Sequence, residues 1–137
     1  MGYWHIGLDY LVCLWINNKE YTNTTGLTGL TVVKNPHRVL GVLYGKIERC
    51  LERFPEDAAY RKYTAEIISH RHNILKSTEL DIKPDITKVE EKIGAGQVEE
   101  LIVQAENELF LARKMLNWKP WEPLINEPPP NQWKWPI

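Results

Sequence analysis

Apolar residues recur at steps of three and four along residues 97–118. This spacing places them on one face of a helix and predicts an amphipathic helix from Gln97 to Trp118. The apolar stripe consists of Val98, Leu101, Ile102, Ala105, Leu109, Ala112 and Leu116, and the predicted solvent face of Glu99, Glu100, Glu106, Asn107, Arg113 and Lys114. Fixing the backbone costs about 1 to 2 kcal/mol per residue, so this helix must pack against other elements.

A first helix is predicted over residues 35–54, with Asn35 as N-cap and Pro36 at the first helical position. Its predicted apolar stripe consists of Leu40, Leu43, Ile47, Cys50 or Leu51, and Phe54. Gly41 and Gly45 weaken a helix interior, so we expect them to mark places where another helix packs closely.

Two further helices are predicted, over residues 56–75 and residues 85–93. The longer one is expected to carry an ion pair between Asp57 and Arg61 at i,i+4. The residues expected to face the core are Tyr60, Tyr63, Ile67 and Ile74 on the longer helix, and Ile86, Val89 and Ile93 on the shorter one. The segment Gly94-Ala95-Gly96 is expected to end the shorter helix and open the long one.

No long stretch alternates apolar and polar residues, so a β-sheet has little support. The pattern predicts an all-α protein, a three-helix bundle over residues 24–118 with an up-and-down arrangement. An irregular N-terminal extension, residues 1–23, and an extended tail rich in proline and tryptophan, residues 119–137, are predicted to flank it.

The apolar opening of residues 1–16 resembles a membrane or signal segment at first sight. Asp9 interrupts it, it is shorter than the ~20 residues a spanning helix needs, and no Lys or Arg precedes it. It also lacks the Arg-rich character of a mitochondrial presequence. We therefore expect residues 1–23 to form a poorly ordered extension, with no membrane span.

Composition fits one soluble domain, with 43% hydrophobic and 26% charged residues. The formal net charge of −1 lacks the basic footprint of a dedicated nucleic-acid binder. Cys13 and Cys50 are far apart and have no metal-ligand spacing, which favours free thiols in a reducing compartment.

Several short patterns are candidates for binding or catalysis. The doubled Thr-Gly-Leu of residues 24–30 lacks the preceding strand and the following lysine of a phosphate-binding loop, so we expect an extended segment whose apolar residues lie on the bundle. Those residues are Leu27, Leu30 and Val32. His70 and His72 point to different sides of a helix, which argues against a metal site. Ser69 and Ser77 have no nucleophile context. We therefore predict no catalytic residue, cofactor, metal or small-molecule substrate.

The tail from Trp118 onwards holds six of the nine prolines and four of the six tryptophans. Proline excludes a continued helix and favours an extended, polyproline-like backbone. Each tryptophan buries about 150 to 250 Å² when it is covered. The tail could cover its own bundle or lie on a partner, and the predicted partner-binding residues are Trp118, Trp121, Trp133 and Trp135.

Five stretches together resemble a known family. They are TTGLTGL at residues 24–30, DAAYRKYT at 57–64, GQVEELIVQAENEL at 96–109, LARKMLNWKPWEPL at 111–124 and QWKWPI at 132–137. From Thr24 to Ile137 the chain resembles the alpha subcomplex subunit 5 family of mitochondrial NADH:ubiquinone oxidoreductase, respiratory complex I. Residues 1–23 depart from the family, whose members begin with a short basic segment.

The resemblance implies a small helical accessory subunit, peripheral on the matrix side of the inner membrane and docked on core and accessory subunits of the peripheral arm. It implies support for assembly and stability, with no cofactor and no catalysis of its own. An alternative resemblance is to Leu-Tyr-Arg motif assembly factors, which bind an acyl carrier protein. Leu43-Tyr44 matches that motif, but Gly45 stands where its arginine belongs.

Overall fold

A computed structural model describes residues 24–79 and 86–136 of the chain. Within these ranges the regular structure is four helices and no strand: α1 (Pro36–Leu51), α2 (Ala59–Glu79), α3 (Ile86–Ile93) and α4 (Val98–Trp118). The all-α prediction is therefore confirmed for the described part. The count of three omits α3, which forms where the short helix was expected.

Helix α1 lies at the centre of the fold, because α4 packs along one side of it and α2 along another. Leu40, Tyr44 and Ile47, at steps of four and three, are at most 1% exposed and form the inner face of α1. Around them the core is completed by Leu43, Leu51, Phe54, Ala58, Ile68, Leu75, Val89, Val98, Leu101, Ile102, Ala105 and Leu109.

The ends of α1 agree with the prediction to within a few residues. Pro36 opens the helix as predicted, whereas Asn35 makes no side-chain capping hydrogen bond. The helix ends at Leu51, and a turn in which the Phe54 N–H donates to the Leu51 carbonyl (3.0 Å) carries the chain onward. The expectation of close packing at Gly41 and Gly45 is wrong, since a Cβ at either position would meet no other atom within 4 Å.

The predicted inner face of α2 is wrong. Tyr63 is 69% and Ile67 53% exposed, whereas Ile68, Leu75 and Thr78 are the buried residues of this helix. One face of α2 packs on α1. The residues buried by this contact lie on a different side of the helix from Tyr63 and Ile67. The list of expected inner residues also included Tyr60 and Ile74, which are both partly buried.

The predicted ion pair between Asp57 and Arg61 within α2 is also wrong. Helix α2 begins at Ala59, so Asp57 precedes it. The Arg61 guanidinium instead donates to the Phe54 carbonyl (2.6 Å), which ties the start of α2 to the turn after α1.

Helix α4 buries its predicted stripe, except that Leu116 is only partly buried. The assignment of Glu99 to the solvent face is wrong, because this residue is 2% exposed. The helix start is held by acidic side chains. The Glu100 carboxylate accepts from the Gln97 N–H (2.8 Å) and the Glu90 carboxylate of α3 from the Val98 N–H (2.8 Å), which are favourable positions for acids at a helix N-terminus.

The glycine segment between α3 and α4 works as predicted. Gly94 has a φ of +66°, and its N–H donates to the Glu90 carbonyl (2.8 Å), so it ends α3 in the left-handed conformation that glycine adopts most easily. The α3–α4 connection is therefore short, and α3 contacts the start of α4 through the hydrogen bond between Glu90 and Val98.

The Thr-Gly-Leu segment forms a turn rather than the expected extended lead-in. The hydroxyl of Thr25 donates to the Leu30 carbonyl (2.7 Å), and its backbone carbonyl accepts from Gln97 Nε2 (2.9 Å) at the start of α4. Leu27 is 43% exposed, contrary to expectation, while Leu30 and Val32 are partly buried. These seven residues therefore attach the segment before α1 to the first turn of α4.

The predicted N-terminal extension, residues 1–23, lies outside the described residues, as do residues 80–85 and Ile137. In the described ranges, none of the helices combines the length and apolar character required to cross a bilayer.

Candidate partner-binding surface

The tail leaves α4 through a residue in the left-handed conformation. Lys119 has a φ of +52°, and its N–H donates to the Met115 carbonyl (3.0 Å). Beyond it the described tail contains no helix or strand. It bends in turns in which the Glu122 N–H donates to the Lys119 carbonyl (3.1 Å) and the Lys134 N–H donates to the Asn131 carbonyl (3.0 Å). The prolines explain the absence of a ladder of backbone hydrogen bonds here, because each lacks an N–H.

Trp121 packs the first turn of the tail against the bundle. Its ring meets that of Phe54 edge-on, with centroids 5.3 Å apart and an interplanar angle of 67°. Phe54 in turn lies 5.5 Å from the ring of Tyr60. Edge-to-face pairs of this kind are favourable beyond the area they bury. Of the four predicted partner-binding tryptophans, Trp121 is thus the one engaged by its own chain.

The other three tryptophans are open to solvent in the isolated chain. Trp118 is 65% exposed, Trp133 90% and Trp135 85%. Two aliphatic residues of the tail, Leu124 and Ile125, are 80% and 98% exposed. So many large apolar side chains on one short segment exceed what a soluble monomer normally leaves uncovered.

Helix α4 adds an exposed aromatic residue that the sequence reasoning missed. Phe110 is 65% exposed, and Lys114 Nζ lies 5.4 Å from its ring centroid, one helical turn further on. Trp118 follows at the next step of four. Phe110 falls outside the apolar stripe of α4, and a large apolar residue in such a position indicates an exposed side chain. Tyr63 and Ile67 were missed as surface residues because both were assigned to the core.

Two tyrosines that pack in the core have pKa values above the ordinary tyrosine value. Burial raises the pKa of Tyr60 above its ordinary value, and its hydrogen bond to the Glu108 carboxylate raises it further, because a phenolate there would face a second negative charge. Burial also raises the pKa of Tyr44, partly offset by the nearby Arg71 guanidinium. Both side chains are therefore neutral phenols at physiological pH.

His72 and Ser77 form hydrogen bonds within the bundle. His72 Nδ1 donates to the Glu48 carboxylate (2.9 Å) between α2 and α1, whereas His70 is exposed. The hydroxyl of Ser77 donates to the Ile74 carbonyl (2.8 Å). Residues 24–79 and 86–136 contain no group of three or more His, Cys, Asp or Glu side chains arranged to hold a metal ion.

The Leu-Tyr pair that resembles the Leu-Tyr-Arg motif lies in the core. Leu43 is 8% and Tyr44 1% exposed, and Gly45 offers no cation. The pair is thus explained by packing within the protein.

The fold and its surface define a small all-α protein that carries exposed aromatic side chains on one helix and on an irregular C-terminal tail. Residues 29–100 match the family described as the ETC complex I subunit conserved region. The chain belongs to this family, which confirms the resemblance inferred from the sequence motifs.

Relatives from animals and plants extend the match beyond that region. The chain is 54% identical over 114 residues to NADH dehydrogenase [ubiquinone] 1 alpha subcomplex subunit 5 of Bos taurus, covering 83% of this chain and 94% of the relative. The protein of the same name from Rattus norvegicus is 56% identical with the same coverage. A relative from Arabidopsis thaliana, described as a probable mitochondrial subunit of this name, is 43% identical over 98 residues, which is 72% of this chain and 55% of the relative.

Proposed function

We propose that this protein is a non-catalytic accessory subunit of mitochondrial respiratory complex I that supports assembly and stability of the peripheral, matrix-facing arm. Its partners would be core and accessory subunits of that arm. It would hold no cofactor and bind no small-molecule substrate or nucleic acid. The redox chemistry from NADH to ubiquinone would take place in other subunits.

The observation that carries this proposal is the likeness to alpha subcomplex subunit 5 over 83% of the chain. The exposed aromatic residues support it, because tryptophan is a favoured anchor at protein interfaces. Trp118, Trp133 and Trp135 are the anchors we assign to partner subunits, and Trp121 holds the start of the tail on the bundle. The docking tail, residues 119–137, would then follow a bundle that folds by itself.

A location at the inner membrane, peripheral on the matrix side, follows from the same proposal. The plant relative is named as mitochondrial. Attachment would come from neighbouring subunits.

Deletion of residues 123–137 tests the role of the tail. This truncation removes Trp133 and Trp135 but keeps Trp121 against Phe54, so the bundle should retain its helix content by circular dichroism. We expect the truncated chain to be lost from the complex on native gels of mitochondria, where the full-length chain comigrates with it. A truncated chain that still assembles normally would contradict the docking role.

The Leu-Tyr-Arg alternative predicts a different companion. An assembly factor of that kind would copurify with an acyl carrier protein in the absence of complex I. An accessory subunit would comigrate with the intact peripheral arm. Affinity purification of the full-length chain followed by native electrophoresis separates these outcomes.

A further inference from the structure

A second surface of the molecule is strongly basic. A groove of about 500 Å³ runs between α1 and the C-terminal half of α4, and we refer to it as the basic groove. Four of its lining residues are cations and none is a carboxylate. The lining consists of Lys46, Arg49, Cys50, Arg53, Arg113, Leu116 and Asn117.

The sequence explains why the cations converge. Lys46 and Arg49 lie on one face of α1, Arg53 lies in the turn that follows this helix, and Arg113 comes from the adjoining face of α4. All four side chains are exposed. The formal net charge of the whole chain is only −1, so this concentration of positive charge is a local feature.

The four charges are not neutralised within the described part of the chain. The ion pairs between His72 and Glu48 and between Lys119 and Glu122 both lie outside the basic groove. Arg49 uses Nε to donate to the Gly45 carbonyl (3.2 Å), which leaves the rest of its guanidinium available. An anionic partner would relieve the mutual repulsion of these cations.

We propose that the basic groove binds an acidic polypeptide segment of a neighbouring subunit, through carboxylates paired with Arg49, Arg53 and Arg113. This inference rests on the proposed function, since it requires a partner within the complex. Charge complementarity identifies the occupant. Guanidinium groups bind carboxylates through two parallel hydrogen bonds, and three of the four cations are arginines.

The dimensions of the basic groove suit a peptide. Lys46 and Arg53 are seven residues apart along α1 and the turn after it, which is about 10 Å at the helical rise, or the length of roughly three residues of extended chain. The floor between the charged walls is formed by Cys50 and Leu116, which are both partly buried. A segment with two or three acidic residues could therefore lie along the groove with its carboxylates against the arginines.

A membrane lipid fits this groove less well. Surfaces that bind lipids usually place exposed large apolar side chains beside their basic residues, so that acyl chains are covered as well as headgroups. The exposed large apolar residues of α1 and α4 are Val42, Val103, Phe110, Leu111 and Trp118, and none lines the basic groove.

Zero-length crosslinking can identify the occupant directly. In isolated complex I containing the Arg53→Lys variant, a water-soluble carbodiimide would join the amines of Lys46 and the new lysine to carboxylates in contact with them. We expect mass spectrometry to find both positions linked to an Asp or Glu of one neighbouring subunit. Absence of such links, while other lysines of the chain do form links, would overturn the proposal.

Charge reversal gives an independent measurement in the same complex. We expect Arg49→Glu/Arg53→Glu to reduce incorporation about tenfold or more, because it places carboxylates opposite carboxylates. The charge-conserving Arg49→Lys/Arg53→Lys variant should lose less than the charge-reversed one, because it keeps both charges and gives up only the paired hydrogen bonds of the guanidinium groups. Lys62→Glu/Lys92→Glu is the matched control, since it makes the same change of charge at exposed sites on α2 and α3 and should leave incorporation within about twofold of wild type. Circular dichroism and thermal unfolding confirm that each variant folds.

The results distinguish this inference from the proposed function. Comigration of wild type and Arg49→Glu/Arg53→Glu to the same extent would overturn the inference alone. Failure of the wild-type chain to comigrate would overturn the proposed function and the inference with it. Binding of wild type, but not of the charge-reversed variant, to phosphatidylserine vesicles, with no carboxylate crosslink in the complex, would indicate a lipid occupant and also overturn the proposal.

Discussion

The ring of Trp121 meets the edge of Phe54 with centroids 5.3 Å apart, and this contact joins the tail to the bundle. Phe54 is 2% exposed in the turn after α1, and Trp121 lies three residues beyond the end of α4. The contact therefore joins the chain after α4 to the turn after α1. It divides the tail into a part held by its own protein and a part left exposed.

We expect Trp121→Ala to lower the free energy of unfolding by about 1 to 3 kcal/mol, less than for a fully buried tryptophan because this ring is only partly covered. Chemical denaturation of the purified chain measures this. Trp133→Ala is the matched control, since its ring is 90% exposed and its loss should change stability by no more than about 0.5 kcal/mol. Equal effects of the two substitutions would show that Trp121 does not anchor the tail.

The exposed pair of tryptophans should show the opposite behaviour. Trp133→Ala/Trp135→Ala should leave the unfolding free energy of the isolated chain nearly unchanged and lower its incorporation into complex I, because removal of aromatic anchors at an interface typically costs about 2 kcal/mol or more of binding. Native electrophoresis measures incorporation. Asn126→Ala/Gln132→Ala, two exposed polar positions of the same tail, is the control and should assemble normally.

Glycine substitutions test the finding that α1 is not closely packed at its glycines. Gly45→Ala should raise the free energy of unfolding by about 0.4 to 1 kcal/mol, because a Cβ there meets open space and alanine favours the helix. Gly94→Ala should lower it by about 1 to 2 kcal/mol, since φ at this position is +66°. Destabilisation by Gly45→Ala would restore the idea of a helix contact at that position.

The pH dependence of stability should reveal the phenol of Tyr60. An ordinary tyrosine titrates near pH 10, and the pKa of Tyr60 in the folded protein is raised above that value. Since the folded state favours the neutral phenol, its stabilisation is fully present below about pH 10 and is lost as pH rises towards the folded pKa. We expect denaturation midpoints to fall above pH 10.

Tyr60→Phe isolates this contribution, because other groups that titrate at alkaline pH are common to both proteins. The variant should be less stable near pH 7 by about 1 to 3 kcal/mol, as its hydrogen bond to the Glu108 carboxylate is lost. It should also show a shallower decline above pH 10. Parallel pH profiles for the two proteins would contradict the proposed role of this phenol.

Helix α2 shows where sequence reasoning failed. Tyr60, Tyr63, Ile67 and Ile74 form a plausible stripe by spacing, and the preference for large apolar residues inside selected it. In the structure α2 packs chiefly on α1 and α3, so the small Thr78 is buried while Tyr63 is exposed. Which side of a helix meets a neighbour depends on how the neighbours are placed, and the spacing within one helix does not contain that information.

The sequence indicated where the helical part of the chain ends but not how the tail after it is arranged. The prolines of residues 119–137 excluded a continued helix and favoured an extended, polyproline-like backbone. In the structure the described tail is neither helix nor strand, and it bends in hydrogen-bonded turns. The four tryptophans looked alike in sequence. Only the position of Phe54 beside the end of α4 distinguishes Trp121 from the other three.

The sequence alone determined the helical segments, the glycine and proline positions that end them, and the family, because these depend on local spacing, backbone restrictions and matched motifs. The tertiary structure decided which face of α2 is buried, that Glu99 is inside, and that cations from α1 and α4 meet in one groove. These features depend on contacts between residues far apart in the chain. Such contacts follow from the packing of whole helices around α1, which no single segment specifies.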